Sequence, residues 1–264
     1  KLYGVEPSDY SGDEEMFQKM HEMRARIILA AAFTSDKVIG AILFERTMND
    51  TINGKPVADL LWHDRGVVPF LKIDKGLEAE ANGVQMLKPM PGLEELLVEA
   101  KGKGIFGTKE RSVINEANEA GVAAIVAQQF EVARTVIAAG MVPILEPEIN
   151  IHSATKGEAE VQLEAEIARH LDTLEDGADV MLKLTLPDEP WRYDKLAAHP
   201  RVLRVVALSG GYSTDEACAR LTQATSMIAS FSRALTEGLS VNQSDTEFQE
   251  ALGSNIDKIY RASI

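Results

Sequence analysis

Residues 180–186, VMLKLTL, place a single lysine in an otherwise apolar run. Strand side chains alternate faces, so Val180, Leu182, Leu184 and Leu186 share one side while Met181, Lys183 and Thr185 share the other. An amine turned inward from such a strand is partly desolvated, which favours its neutral, nucleophilic form and suits attack on a carbonyl carbon. The competing reading is a buried salt bridge, because lysine is seldom buried unless it is paired or reactive. The same alternation puts Phe70, Lys72 and Asp74 of GVVPFLKID on one face, and Val142, Ile144, Glu146 and Glu148 of MVPILEPE on another. Lys109 lies in IFGTKER. Lys72, Lys109, Lys183 and Glu146 together read either as an ion-pair network or as an anion site, and the excess of lysines favours the second.

A further constellation follows the apolar run at 202–208: Ser209-Gly210-Gly211-Tyr212-Ser213, directly before a helix that Asp215 opens. Two glycines let backbone N–H groups approach a ligand, and a helix N-terminus adds positive potential, so phosphate fits there. A plain strand-to-helix turn is the structural alternative. The next strand candidate runs into Ser230-Phe231-Ser232-Arg233, adding hydroxyls and a guanidinium. Metal chemistry finds no comparable pattern: the five histidines show no ligand spacing, and Cys218, the one cysteine, reads as a structural thiol.

These side chains need a scaffold that brings several strand ends together. Strand candidates begin near residues 38, 67, 105, 141, 180, 202 and 227. Helical patterns cover 13–28, 57–65, 93–101, 115–139, 158–174, 193–199, 215–224 and 246–260. For the first helix, Ser11 and Glu14 form the expected capping box. A doubly wound sheet is one solution. The even alternation without a second compositional zone instead predicts one α/β domain over 1–264, a (β/α)₈ TIM barrel short of its first strand, because a helix comes first. The echo of GVVPFLK in GMVPILE supports repetition. Proline removes a ladder donor, so Pro69 and Pro143 are expected near strand starts or at bulges. In such a barrel the strand C-termini build the active site, where Lys72, Glu146 and the 209–213 turn fall.

Composition sets the outer limits. Among 264 residues, 41 acidic against 27 basic give a net charge of −14, which excludes a coat for nucleic acid or for an anionic membrane. The longest apolar run, residues 27–33, is far short of the roughly 18 needed for a membrane span, and one cysteine fits a reducing, cytoplasmic setting.

GVVPFLKIDKG, IFGTKERS, VPILEPEIN, VMLKLTLP, ALSGGYS and ASFSRAL occur in this order, and with them the sequence resembles the bacterial class I fructose-bisphosphate aldolases over nearly its whole length. The resemblance implies a (β/α)₈ barrel that reversibly cleaves fructose 1,6-bisphosphate to dihydroxyacetone phosphate and glyceraldehyde 3-phosphate, through a lysine Schiff base and without metal or other cofactor. It implies Lys183 as the Schiff-base lysine and Glu146 as the acid/base group, with Glu148 beside it. Lys109 and Lys72 match lysines near substrate hydroxyl and phosphate groups, and Lys109 is counted with the catalytic set. Ser209, Gly210, Gly211, Ser232 and Arg233 match phosphate-binding positions. The partners implied are small sugar phosphates, with room for a homo-oligomer. The family's opening strand, which ends in an aspartate within a motif like ALDQSGGS, has no counterpart here, and Tyr260 takes no assigned role. The alternatives are another Schiff-base aldolase on this fold, or a catalytically impaired barrel fragment that binds sugar phosphates.

Overall fold

The apolar runs form strands, and the strands pair in the order in which they occur. A computed structural model describes residues 3–264. Its parallel series is β1 (Gly40–Leu43), β2 (Val68–Lys72), β3 (Gly107–Ile114), β4 (Val142–Ile149), β5 (Val180–Thr185), β6 (Val202–Leu208) and β7 (Met227–Ala229). Each strand pairs with the next in parallel. The principal helices are α1 (Asp13–Leu29), α2 (Leu93–Gly102), α3 (Glu119–Ala138), α4 (Lys156–Leu171), α5 (Thr214–Gln223) and α6 (Asp245–Arg261). This curled parallel sheet with helices on its outer face is the architecture of a (β/α)₈ barrel. Among the described residues β1 and β7, the ends of the series, are not hydrogen-bonded to each other. A two-residue strand at Val84–Gln85 pairs antiparallel with the last residues of β3.

The alternation read along β5 is the one observed. Val180, Leu182, Leu184 and Leu186 are fully buried in an apolar cluster with Ile125 and Phe130 of α3 and Leu163 and Ile167 of α4. Burying each such side chain contributes roughly 1.5–3 kcal/mol, so this face commits Lys183 to the interior. The prolines obey the ladder constraint: Pro69 and Pro143 are each the second residue of their strand. At the start of β3, a Cβ on Gly107 would stand 2.0 Å from the Val142 carbonyl oxygen, so only glycine lets β3 and β4 approach this closely.

Local expectations change at several helices. Gly12, not Ser11, is the N-cap of α1, and the Ser11 amide and hydroxyl both donate to Glu15 at 2.8 Å rather than engaging Glu14. The helix expected over 57–65 starts as α-helix at Val57–Asp59 and widens to π-helical turns at Leu60–Arg65, which buries the consecutive Leu60 and Leu61 before Gly66 ends it at φ +66°. The helix expected from residue 115 begins only at Glu119, capped by Asn118, because the Asn115 and Glu116 amides donate to the Gly83 carbonyl.

The outer face of β3 departs from the aliphatic rule. Thr108, Glu110 and Ser112 are fully buried there, and Gln129 of α3 donates to the Glu110 carbonyl at 3.3 Å and to Ser112 Oγ at 2.8 Å. Both Glu110 carboxyl oxygens, Thr108 Oγ1 and Gln129 Oε1 are buried without a hydrogen-bond partner. Burial pushes the Glu110 carboxyl well above the usual range; the Lys109 charge opposes this, and Asp74 and Glu146 add to it. The folded protein thus keeps a proton that the unfolded chain releases above about pH 4.3. Stability from this group is greatest below that pH and falls as pH rises, by up to about 1.4 kcal/mol per unit, until the folded group also ionises. Glu110→Gln should therefore be more stable than the native chain at pH 7–8, with the gap closing towards pH 4. Urea unfolding across that range checks this, and a gap independent of pH would refute it.

Candidate active site

The inner face of the sheet carries charge on successive strands. Lys72 closes β2, Lys109 and Arg111 lie in β3, Glu146 and Glu148 in β4, and Lys183 in β5. Register aligns them: Lys72 pairs with Lys109 and Arg111 with Glu146. The ladder between β4 and β5 pairs Ile144 with Met181 and Leu145 with Leu182. Beyond it the Thr185 hydroxyl takes over, accepting from the Ile149 amide at 2.8 Å and donating to the Ile149 carbonyl at 2.9 Å. Thr185, fully buried, therefore stitches β4 to β5 on the far side of the pair Glu146 and Lys183.

The charges alternate in sign along a continuous chain. Lys183 Nζ lies 3.1 Å from Glu146 Oε1, and Lys109 Nζ lies 2.7 Å from Oε2 of the same carboxylate, an ion pair outside hydrogen-bond geometry. Lys109 Nζ is also 3.4 Å from Asp74 Oδ2, whose Oδ1 takes Lys72 Nζ at 2.7 Å. Lys183, Lys109, Glu146 and Asp74 are all less than 9% exposed. Charges so removed from water persist only when paired, and here each carboxylate faces two ammonium groups. Burial pushes the Asp74 carboxyl up, but the Lys109 charge, the Lys72 hydrogen bond and charge, and the Arg111 amide at 3.2 Å outweigh it and hold the group below the usual carboxylate range. Glu148 stands apart from the lysines and accepts from Arg111 Nε.

The glycine turn expected to hold phosphate adjoins this chain. Lys183 pairs with Val206 and Thr185 with Leu208, so Ser209 is the residue just past the Lys183 ladder. Gly210 and Gly211 have φ of +62° and +122°, and a Cβ on Gly210 would meet Ile151 Cγ2 at 2.7 Å. Ser213 caps α5, its side chain accepting from the Glu216 amide, so the helix opens at Thr214 rather than Asp215. The β7 exit places Ser232 and Arg233 on a helical turn, Ser232–Leu235, and Ser230 donates its amide to Ala207 at 2.8 Å, which joins the two loops at their base. Both Ser232 and Arg233 are exposed, and among the described residues the Arg233 guanidinium has no ion-pair partner. No cluster of three or more metal-type side chains occurs among the described residues.

Residues 13–181 match the family model described as glycolytic fructose-bisphosphate aldolase class-I. The chain is 54% identical over 262 residues to a class 1 fructose-bisphosphate aldolase of Synechocystis, covering 99% of this chain and 87% of the relative. It is 52% identical to that of Porphyromonas gingivalis, covering 100% and 89%, and 52% to that of Clostridium acetobutylicum, covering 99% and 89%.

The chain belongs to the class I fructose-bisphosphate aldolase family.

It is accordingly a carbon–carbon lyase. In fold it is similar to the fructose-bisphosphate aldolase of Plasmodium falciparum solved in complex with TRAP and a small-molecule inhibitor, with a TM-score of 0.73, 20% identity, and 96% and 88% of the two chains covered. No helix among its described residues is long and apolar enough to cross a membrane.

Sequence reasoning placed Asp74 on the Lys72 face without giving it a role, and it passed over Arg111 and Thr185 as site residues. The spacing of two that singled out Lys183 also applies to Lys109 and Arg111, so Arg111 was findable. The role of Asp74 depends on a loop beyond β2 that alternation does not describe.

The depressed Asp74 carboxyl contributes stability that is present above the unfolded value near 3.9 and is lost as pH falls through the lower folded value. Asp74→Asn should cost about 1–3 kcal/mol near neutrality, the penalty for leaving buried charged donors short of a partner. The deficit should begin to shrink below about pH 4, where the unfolded chain takes up a proton that the native carboxylate still refuses, and should close below the lower folded value. Denaturant unfolding at a series of acidic pH values measures it, and a deficit unchanged down to pH 3 would contradict the assignment.

Proposed function

We propose that this aldolase cleaves fructose 1,6-bisphosphate reversibly through a Schiff base on Lys183, with Glu146 as the proton-shuttling group and the 209–211 turn with Ser232 and Arg233 as a phosphate site. The observation that carries the reading is the buried contact of Lys183 with Glu146, on the strand next to one whose exit, three residues past Lys183's ladder partner Val206, is a glycine turn with left-handed φ. In its neutral form the Lys183 amine adds to the substrate ketone. Glu146 delivers a proton to the departing hydroxyl, water leaves, and a protonated imine forms. The Glu146 carboxylate left by that step then takes the proton of the C4 hydroxyl as the bond between C3 and C4 breaks; the electron pair of that bond moves into the imine as an enamine, and the aldehyde is released. Protonation of the enamine and hydrolysis return dihydroxyacetone phosphate and the free lysine. Lys109, held by Glu146 and Asp74, keeps positive charge near the developing anions, and Lys72 extends that field to the rim. Glu148 orients Arg111 at the same rim. Ser209 and the Gly210 and Gly211 amides offer neutral donors and Arg233 a charged one, a set suited to a phosphate dianion. The scheme requires no metal, so cleavage should proceed unchanged in EDTA.

Borohydride reduction with dihydroxyacetone phosphate should tag Lys183, and Lys183→Met should abolish trapping while leaving the circular dichroism spectrum intact. Peptide mapping that finds the label on Lys72 or Lys109 would sink the assignment. Arg233→Ala should raise KM for the bisphosphate by roughly 10- to 150-fold, equivalent to a charge-assisted contact of about 1.5–3 kcal/mol, with a much smaller change in kcat. Steady-state kinetics decide this, and an unaltered KM would remove Arg233 from the site.

A further inference from the structure

The loop that leaves β5 is fastened in a way the reaction scheme does not use. Lys156, in the first turn of α4, is 5% exposed, and its Nζ bonds Glu160 Oε1, the Leu186 carbonyl at 3.1 Å and Asp188 Oδ1 at 2.8 Å. Glu160, 1% exposed, accepts the Asp188 amide on both oxygens at 3.2 Å. One buried ion pair thus grips the backbone at Leu186 and Asp188, three and five residues beyond Lys183. Asp188 Oδ1 also lies 3.7 Å from Arg220 Nη1 of α5. The Arg220 guanidinium bonds Glu216 at 3.2 Å and sits over the Tyr212 ring, 4.3 Å from its centroid. Tyr212 belongs to the glycine turn, where its amide donates to the Ser209 carbonyl at 2.9 Å. The contacts run unbroken from the β5 exit, through Asp188, Arg220 and Tyr212, to the turn after β6.

We propose that Asp188 and Arg220 are positioning residues: they form a strap that holds the 209–211 turn at a fixed offset from Lys183, and so set affinity for the phosphate of the substrate without touching it. The proposal rests on the phosphate reading of that turn. Gly210 and Gly211 make the turn pliable, and its other anchors are the Ser209 carbonyl, the Ser213 cap and the packing of Tyr212 against the apolar cluster, none of which ties it to the β5 exit. Arg220 is suited to the task because a planar guanidinium can stack on a ring and engage a carboxylate at once, which an ammonium cannot. The rigid end of the strap is the Lys156 and Glu160 pair; the adjustable end is the half-exposed Asp188 and Arg220 contact.

The test compares two ligands trapped on Lys183 with borohydride: dihydroxyacetone phosphate, which needs the turn, and unphosphorylated dihydroxyacetone, which does not. Arg220→Gln should raise the half-saturating concentration of the phosphate ester about three- to tenfold, the worth of one stacked cation and one partly exposed ion pair, and leave dihydroxyacetone within about twofold of native. Asp188→Asn should produce a smaller shift of the same kind, and Arg220→Lys an intermediate one. Weakening of both ligands in parallel would mean general loosening and would overturn the proposal, as would no shift for either. Arg233→Ala, run alongside, separates the two levels. If that variant weakens the phosphate ester while Arg220→Gln does not, the strap alone is wrong. If the native enzyme captures the phosphate ester no better than dihydroxyacetone, the phosphate reading falls and the strap with it.

Discussion

A carboxylate shared by two lysines, shut away from water, is the constraint on which this structure turns. Glu146 meets Lys109 with one oxygen and Lys183 with the other. Removing any of these charges from solvent costs several kcal/mol, and only close opposite charge offsets it. The partners must therefore arrive from different strands at one height. A parallel sheet does that through its register, which sets Arg111 beside Glu146 and Leu145 beside Leu182, with the Thr185 hydroxyl holding β4 to β5 beyond the pair. Asp74 extends the same logic by one step: without it Lys109 would share a single counter-charge with Lys183, and Lys72 would have no acidic partner among the described residues.

The helices serve this arrangement from the other side. Apolar packing of Leu182 and Leu184 against α3 and α4 fixes which way β5 faces, so the orientation of Lys183 is decided by side chains that never meet substrate. Glu110 is the exception on that outer face. Burial there pushes the carboxyl well above its usual range and so favours the neutral acid, which adds no charge to the balance on the inner face.

Much of this was legible because the sheet is parallel and buried on both faces, so each strand is a short apolar run in which a charge stands out. The seven strand starts, the inward lysines, the placement of Pro69 and Pro143 and the glycine turn all follow from alternation and from the conformational limits of proline and glycine. Less legible were features that depend on contact between distant segments. Asn115 and Glu116 fit the helical pattern that follows them, yet their amides are claimed by Gly83, and no periodicity signals that competition. The widening of the helix at Leu60 comes from two adjacent leucines both reaching the core. The pairing of Lys156 with Glu160 also escapes the sequence, whose helical pattern starts only at residue 158, and the passage of the Leu186 and Asp188 backbone over the pair makes it interior.

The unequal lengths of the strands shape access to the site. β3 and β4 are eight residues each, whereas β1 has four and β7 three. Glu146 is the fifth residue of β4, so three further residues, about 10 Å of strand, rise above it. The Val84–Gln85 strand leans on the tip of β3 and thickens that side further. The mouth is therefore a slope with one high bank rather than a symmetrical shaft. Anything entering the mouth meets the taller wall on the side that carries Lys109, Glu146 and Glu148, and the Glu146 carboxylate at its foot is 4% exposed.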